Sequence, residues 1–377
     1  MSESLSLIYQ QHCQNIHQRI QSVTLSPHFI QAERSTPLNG TEHLQNLVHD
    51  YLKTLSEPHQ QRLHDEYFGV GPLKPLLNDE LITEIIINRF DIIWVEKNGH
   101  LQPIHDTFCS QHTYDSFLQR LYLELGQEPT LTCPFVDGSW NHFRVHIVGS
   151  YTPLNPEVRL TIRKHKRQSW TLNDLKEVRW SNSDAELSFL AQLVQEKQNL
   201  LIIGPANSGK TSVLKALLHE VQPEERIIIL EDSKEILPPS SSCVHLLTRF
   251  DARGVLPAIP LSDLVKQSLR MRPDRIVVGE VRGEEAKDLL LAMATGHTGS
   301  VGTLHASDPW QALIRLEMLI QMGAPQWDLL AIRKLILLSL NYLIVCSRHP
   351  SGQRKLAGIY KLISLENSGI IIERVYF

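Results

Sequence analysis

Only five of the 377 residues are cysteine, and no two of them form a C-x-x-C pair. Cys13, Cys109, Cys133, Cys243 and Cys346 are scattered and odd in number, which disfavours a disulfide framework and a thiolate metal site, and they read as reduced fillers. No apolar run reaches the ~18 to 20 residues of a spanning helix. The longest candidate, Leu335 to Val345, is broken by Ser339 and Asn341, so no membrane crossing is expected. The opening residues have no basic segment leading into an apolar one, so a secretory signal is not expected and a cytoplasmic residence is. Positive charge is not in excess either. Lys plus Arg number 37 against 41 Asp plus Glu, a formal charge of -4, which argues against a protein held mainly by nucleic acid phosphates. What is present is ordinary: 42% hydrophobic and 21% charged residues supply a core and exclude disorder. At roughly 150 residues per domain, the length suggests two domains with a short appended segment.

The chain divides into a helical segment over 1–60, an α+β domain over 61–164 and a larger domain over 165–377. In the first, Cys13, Ile16, Ile20 and Val23, and then Leu44, Leu47, Val48, Tyr51, Leu52 and Leu55, recur at helical spacing. The polar stretch SPHFIQAERSTPLNGTEH between them reads as a loop. In the second, TEIIIN, DIIWVEKNGHLQ, FRVHIV and VRLTIR read as strands, and Phe117, Leu118, Leu121, Tyr122 and Leu125 mark a helix. The basic stretch KHKRQSW that begins at Lys164 is placed at the boundary. Beyond it, LLII, RIIIL, RIVV, VGTL and YLIVC are nearly continuous apolar runs, several of them separated by helical stretches, which predicts an α/β fold with a largely parallel sheet covered on both faces.

The strongest local motif is GPANSGKTS, Gly204 to Ser212, which fits G-x-x-x-x-G-K-[ST] and follows the strand LLII. In such a loop, here Gly204, Pro205, Ala206, Asn207, Ser208, Gly209, Lys210, Thr211 and Ser212, the available backbone N–H groups and a helix N-terminus surround the phosphates, Pro205 itself having no N–H to give. Lys210 reaches the terminal phosphates of ATP, and the Thr211 hydroxyl takes Mg²⁺. A chance strand-turn-helix containing a lysine is the competing reading, and the agreement of strand, loop and helix disfavours it. Asn207 stands where many such loops carry glycine, and asparagine tolerates a positive φ. Glu231 and Asp232 end one strand and Glu280 follows another, at the carboxyl edge where open α/β sheets hold ligands. Glu280 suits a residue that orients the attacking water and contacts the metal, with Glu231 as a helper. His297 and His305, in ATGHTGSVGTLHAS, are read as phosphate sensors rather than zinc ligands, since no H-E-x-x-H spacing or neighbouring cysteine is present. Arg159, Thr161 and Arg163 share one face of VRLTIR, and with Arg144 on the preceding strand they form a cationic patch. Arg253 is weighed evenly between surface charge and site.

These segments, together with GPLKPLLNDELITEIIINRFDIIWVEKNGHL and LVKQSLRMRPDRIVVGEVRGEEAKDLLLAMATGHTGSVGTLHAS, resemble the secretion ATPases of the type II and type IV systems over about residues 65 to 377. The closest branch looks like the CpaF-type ATPases of Flp (Tad) pilus assembly, and the conjugative type IV traffic ATPases share much of the rest. The resemblance implies a RecA-like P-loop domain, a Walker A lysine at Lys210, an acidic-box Glu231, a Walker B Glu280, His-box His297 and His305, and nucleotide-directed arginines at Arg144 and Arg163. It further implies a homohexamer driving pilus assembly or secretion from the cytoplasmic face of the inner membrane, through an integral platform protein. Two departures stand out: Pro205-Ala206-Asn207 replaces the usual G-T-G, and DGSWNHFRVH holds about three extra residues. A low-turnover nucleotide-gated scaffold is the alternative of a different class. A nucleic acid translocase resting on the basic cluster KHKR is disfavoured by the net charge.

Overall fold

The computed structural model describes residues 2–24, 37–141, 143–151, 156–164, 170–249, 256–349, 352–367 and 369–375. Arg253 and all of KHKR except Lys164 lie outside them. The chain separates into two compact units, Met1–Lys166 and Arg167–Phe377.

The first unit opens with helices α1 (Ser2–Thr24), α2 (Pro37–Leu52), α3 (Glu57–Phe68) and α4 (Leu73–Asn78). Residues 37–43, expected in a loop, are thus helical, with proline at the first helical position, where its fixed φ and missing N–H cost nothing. Cys13, Ile16, Val48, Tyr51, Leu52, Leu63 and Cys109 form the core under these helices. Strands β1 (Ile82–Arg89), β2 (Ile92–Lys97) and β3 (His100–Ile104) follow, then α5 (Gln111–Leu125), β4 (Phe135–Trp140), β5 (Phe143–Val148) and β6 (Arg159–Lys164). They build one antiparallel sheet in the order β3-β2-β1-β6-β5-β4. DIIWVEKNGHLQ is therefore two strands rather than one. Asn98 and Gly99 turn between them at φ 53° and 80°, the doubly left-handed hairpin turn that Asn-Gly favours. DGSW likewise belongs to β4, which turns at Asn141 (φ 55°) into β5. Leu160 and Ile162 of β6 are buried against Phe117, Leu118 and Leu121 of α5, while Arg159, Thr161 and Arg163 alternate to the other face.

The second unit contains α6 (Leu172–Glu177), α7 (Asp184–Gln195), β7 (Leu200–Gly204), α8 (Lys210–Leu218), β8 (Ile227–Glu231), β9 (Val244–Leu247), α9 (Leu261–Ser268), β10 (Arg275–Val278), α10 (Glu285–Ala294), β11 (Val301–His305), α11 (Pro309–Gly323), α12 (Leu329–Ser339), β12 (Tyr342–Arg348), β13 (Arg354–Glu366) and β14 (Gly369–Val375). Their sheet runs β14-β13-β12-β7-β11-β10-β8-β9, parallel from β12 to β9 and antiparallel through β13 and β14. Every residue of β7, β8 and β10 is buried, as expected of parallel strands covered on both faces. The period-2 alternation decides which cover each side chain meets. Leu201, Ile203, Ile228 and Leu230 pack under α9 to α12, and Leu200, Ile202, Ile227 and Ile229 pack under α6 to α8. This is the α/β, RecA-like arrangement, and its parallel register brings the carboxyl ends of β7, β11, β10 and β8 to one edge.

Candidate functional site

The loop Gly204–Gly209 leaves β7 and opens α8. Gly204 is confined: a Cβ there would lie 2.5 Å from the Cys346 carbonyl of β12 and 2.5 Å from Ser208 Oγ. Asn207 adopts φ +58° and Gly209 φ +92°, so the loop takes two left-handed residues, and asparagine fills the first without glycine. Pro205, Ala206 and Asn207 are exposed, Ser208 is buried, and Thr211 and Ser212 are half-buried in the first turn of α8. Ser208 Oγ has no hydrogen-bond partner among the described residues.

Lys210 is buried and folds back over this loop, donating to the carbonyls of Gly204 and Pro205 at 3.0 Å each. Its Nζ is also 3.2 Å from Nδ1 of His305. The other ring nitrogen of His305, Nε2, is 3.2 Å from Oε1 of Glu280. One imidazole thus bridges the loop lysine and the carboxylate that follows β10, because Gly204 and His305 are cross-strand partners at the ends of β7 and β11. Behind Glu280, Thr303 Oγ1 donates to the Gly279 carbonyl at 2.5 Å, and Val281 N–H donates to the Thr303 carbonyl at 2.8 Å. Glu285 then accepts from the N–H groups of Arg282 and Gly283. The segment carrying Glu280 is tied down on both sides.

Glu231 lies at the same edge but is buried. Its Oε2 accepts from the N–H groups of Glu235 and Ile236 at 3.1 and 3.0 Å. His245 Nε2 of β9 stands 2.9 Å from the same oxygen, at an angle that makes no hydrogen bond. Lys215, one turn beyond Thr211 on α8, has its pKa lowered by burial, with Glu235 and Glu231 pulling the other way. Burial pushes the Cys346 thiol up to about 12, with the Lys210 charge opposing, so this cysteine beside the loop stays protonated. Asp232 accepts from Thr248 Oγ1 and pairs with Arg282.

Of the expected site residues, the structure therefore gathers Gly204 to Ser212, Glu231, Glu280 and His305. It does not bring His297 to them. His297 precedes the amino end of β11, and its carbonyl accepts from Ser300 Oγ there. A strand of five residues, at about 3.3 Å per residue, separates it from His305. Two histidines on either side of one strand look adjacent in sequence and end on opposite edges of the sheet. Arg144 and Arg163 are in the first unit, where they are direct cross-strand partners on β5 and β6, and Glu84 of β1 pairs with Arg163 on its other side. Burial raises the pKa of Glu84 and Arg163 lowers it, with burial prevailing.

The oxygen donors Thr211 and Glu280 suit a hard cation such as Mg²⁺, which takes one or two protein oxygens and completes its shell with water and phosphate. The unpartnered Ser208 hydroxyl, the glycine-lined turn and the opening of α8 suit a phosphate. Sequence reading missed His245, Arg282 and Arg354. Arg354 Nε donates to the Asn207 carbonyl at 3.0 Å from 147 residues away, and no local pattern marks it.

Residues 136–348 match the family model described as type II/IV secretion system protein. A putative conjugal transfer protein of Mycobacterium tuberculosis is 32% identical over 310 residues, covering 81% of this chain and 87% of the relative. The type IV secretion system protein PtlH of Bordetella pertussis is 31% identical over 316 residues, covering 76% and 91%. Among solved structures, the ATPase DotB of Legionella pneumophila superposes with a TM-score of 0.53 at 20% identity, covering 77% of this chain and 78% of that one. At that identity the likeness is one of fold.

Proposed function

The chain belongs to the type II/IV secretion system protein family, and from that premise we propose that it is a motor ATPase working as a homohexamer at the cytoplasmic face of the inner membrane. The observation that carries this reading is the chain of contacts Lys210–His305–Glu280 across the mouth of the phosphate loop. It sets a cation, an imidazole and a carboxylate around the place where a terminal phosphate meets water.

In this reading the N–H groups at the start of α8 and the Lys210 ammonium hold the phosphates of ATP. Thr211 and Glu280 would hold Mg²⁺, which would supply charge neutralisation to the phosphates. Glu280 orients the attacking water, and His305 exchanges its Lys210 contact for the terminal phosphate, so that phosphate loss is felt at the end of β11. Glu231, with one oxygen bound to main chain, fixes the edge on which Glu280 stands. Arg144 and Arg163 supply guanidinia to a nucleotide at a subunit boundary. Asn207 holds the left-handed backbone that the loop needs, which supports turnover over the low-turnover scaffold.

Flp pilus assembly through a membrane platform protein is the specific role carried over from the sequence. The relatives named for conjugal transfer and type IV secretion favour a second role, traffic in a type IV apparatus. Glu280→Gln, whose amide oxygen still faces the cation, should keep ATP binding within a few-fold and lose hydrolysis by about 10²-fold or more, with Lys210→Ala as the non-binding control. Undiminished hydrolysis in Glu280→Gln would overturn the assignment. Co-purification with a pilin platform protein or with a type IV apparatus separates the two roles.

A further inference from the structure

The phosphate loop of this chain is closed by a segment that comes from the far end of the second unit. The hairpin β12–β13 walls it at both ends. The Cys346 carbonyl of β12 is the atom against which Gly204 has no room for a Cβ, and Cδ of Arg354, the first residue of β13, lies 3.2 Å from the Cβ position of Gly209. The arginine stem thus covers Gly209 while its head reaches the turn, where Nε donates to the Asn207 carbonyl at 3.0 Å.

That carbonyl belongs to the peptide plane whose other end is the Ser208 N–H, which donates to the Pro205 carbonyl at 3.3 Å. A trans peptide is rigid, so its C=O and N–H turn together. The bond from Arg354 therefore fixes the direction in which the Ser208 N–H points, and with it the turn from Pro205 to Ser208. The residue before this plane is Asn207 at φ +58°, a conformation that asparagine tolerates better than most residues and that the surrounding contacts help to hold. If the plane turned over, the Asn207 oxygen would meet the Pro205 carbonyl in place of the Ser208 N–H, and the turn that shapes the loop would be lost.

We infer that Arg354 is a positioning residue for the phosphate loop, which keeps the Asn207 peptide turned outward so that the loop accepts the phosphates of a nucleoside triphosphate. This rests on the reading of the loop as a nucleotide site. It links the β12–β13 hairpin to nucleotide occupancy, since a shift of β13 would release the turn.

The test uses the full chain with Mg²⁺ and a non-hydrolysable ATP analogue, titrated calorimetrically, with ATP turnover measured in parallel. Arg354→Met keeps the stem over Gly209 and removes the donor. It should raise Kd and KM roughly five- to tenfold, the size of one partly exposed hydrogen bond from a charged group, with the loss in KM rather than kcat. Arg354→Gln, which restores an uncharged donor, should recover most of the affinity. Equal affinity in Arg354→Met and the unaltered protein overturns the inference, and so does an Arg354→Gln as weak as Arg354→Met, which would make the charge and not the bond responsible. Absence of analogue binding to the unaltered protein overturns the nucleotide reading itself, an outcome distinct from either.

Discussion

A methyl group at Gly279 would stand 2.7 Å from Cγ of Glu231 and 2.9 Å from its Oε1. The glutamate cannot step aside freely, because its other oxygen holds the N–H groups of Glu235 and Ile236 in a buried setting. Gly279→Ala should therefore lower the stability of the second unit by about 1–3 kcal/mol, the usual cost of overpacking, and depress hydrolysis more than nucleotide binding, since Glu280 is the next residue. Urea unfolding and turnover of the same samples check both; an unchanged midpoint would mean that Glu231 yields. At this scale the turn from β7 into α8 was legible, since its spacing is a local chemical pattern. Position 207 was too, because asparagine is a residue able to take φ +58°. The two histidines were only half legible. Their pairing depended on which end of β11 each occupies, and a string of residues does not give the direction of a strand in its sheet. Arg354 and His245 were invisible, as they meet the site only through β-strand neighbours distant in sequence.

At the amino edge of the same sheet, β10 begins with a buried arginine. Arg275 forms a two-pronged pair with Glu225 at 3.0 Å for each bond and donates to the carbonyls of Val194 and Gly299. It thereby ties the end of α7 and the approaches to β8 and β11 to one side chain. Burial alone would raise the Glu225 carboxyl, but the hydrogen bonds from Arg275 and Lys197 prevail and its pKa is lowered. The folded state thus binds this proton less readily than the unfolded chain, so the pair's contribution is present above the ordinary glutamate value and is lost as pH falls through the lowered one. Glu225→Gln should destabilise the second unit at neutral pH and flatten its loss of stability on the acid side, which urea titrations at a series of pH values would show. A parallel fall in both proteins would locate the acid sensitivity elsewhere. Elements with strong periodicity were readable, and the apolar runs of β7, β8, β10, β11 and β12 are strands. Elements without it were not. Helix α3 has the sequence EPHQQRLHDEYF, with few apolar residues before its end, and its buried polar residues, including Glu66 salt-bridged to Arg62, replace the apolar stripe. The hairpin at Asn98-Gly99 carried a turn signal that the surrounding apolar run obscured.

The molecule has two units with separate cores, and no helix among the described residues is long and apolar enough to cross a membrane. The α/β class was legible because continuous apolar runs alternating with helices permit few alternatives. Assembly was not, since no pattern within one chain counts its copies. Arg144 and Arg163 offer the way to test it. They are directly opposed on neighbouring antiparallel strands, and like charges so placed cost roughly 0.2–1 kcal/mol relative to a neutral pair. Glu84 on the other side of Arg163 offsets part of that cost. Arg144→Met should leave the stability of the first unit unchanged or slightly raised. In the proposed ring it should also lower turnover at saturating ATP, by up to the roughly 10³-fold that a guanidinium on a transferring phosphate contributes. Turnover per chain, measured across a protein concentration series with particle mass, should rise as rings form in the unaltered protein and stay low in assembled Arg144→Met. If the variant forms rings and turns over normally, the paired arginines do not act on nucleotide and their repulsion serves another contact. If turnover of the unaltered protein is independent of particle mass, each chain holds a complete active site and the motor does not depend on the ring.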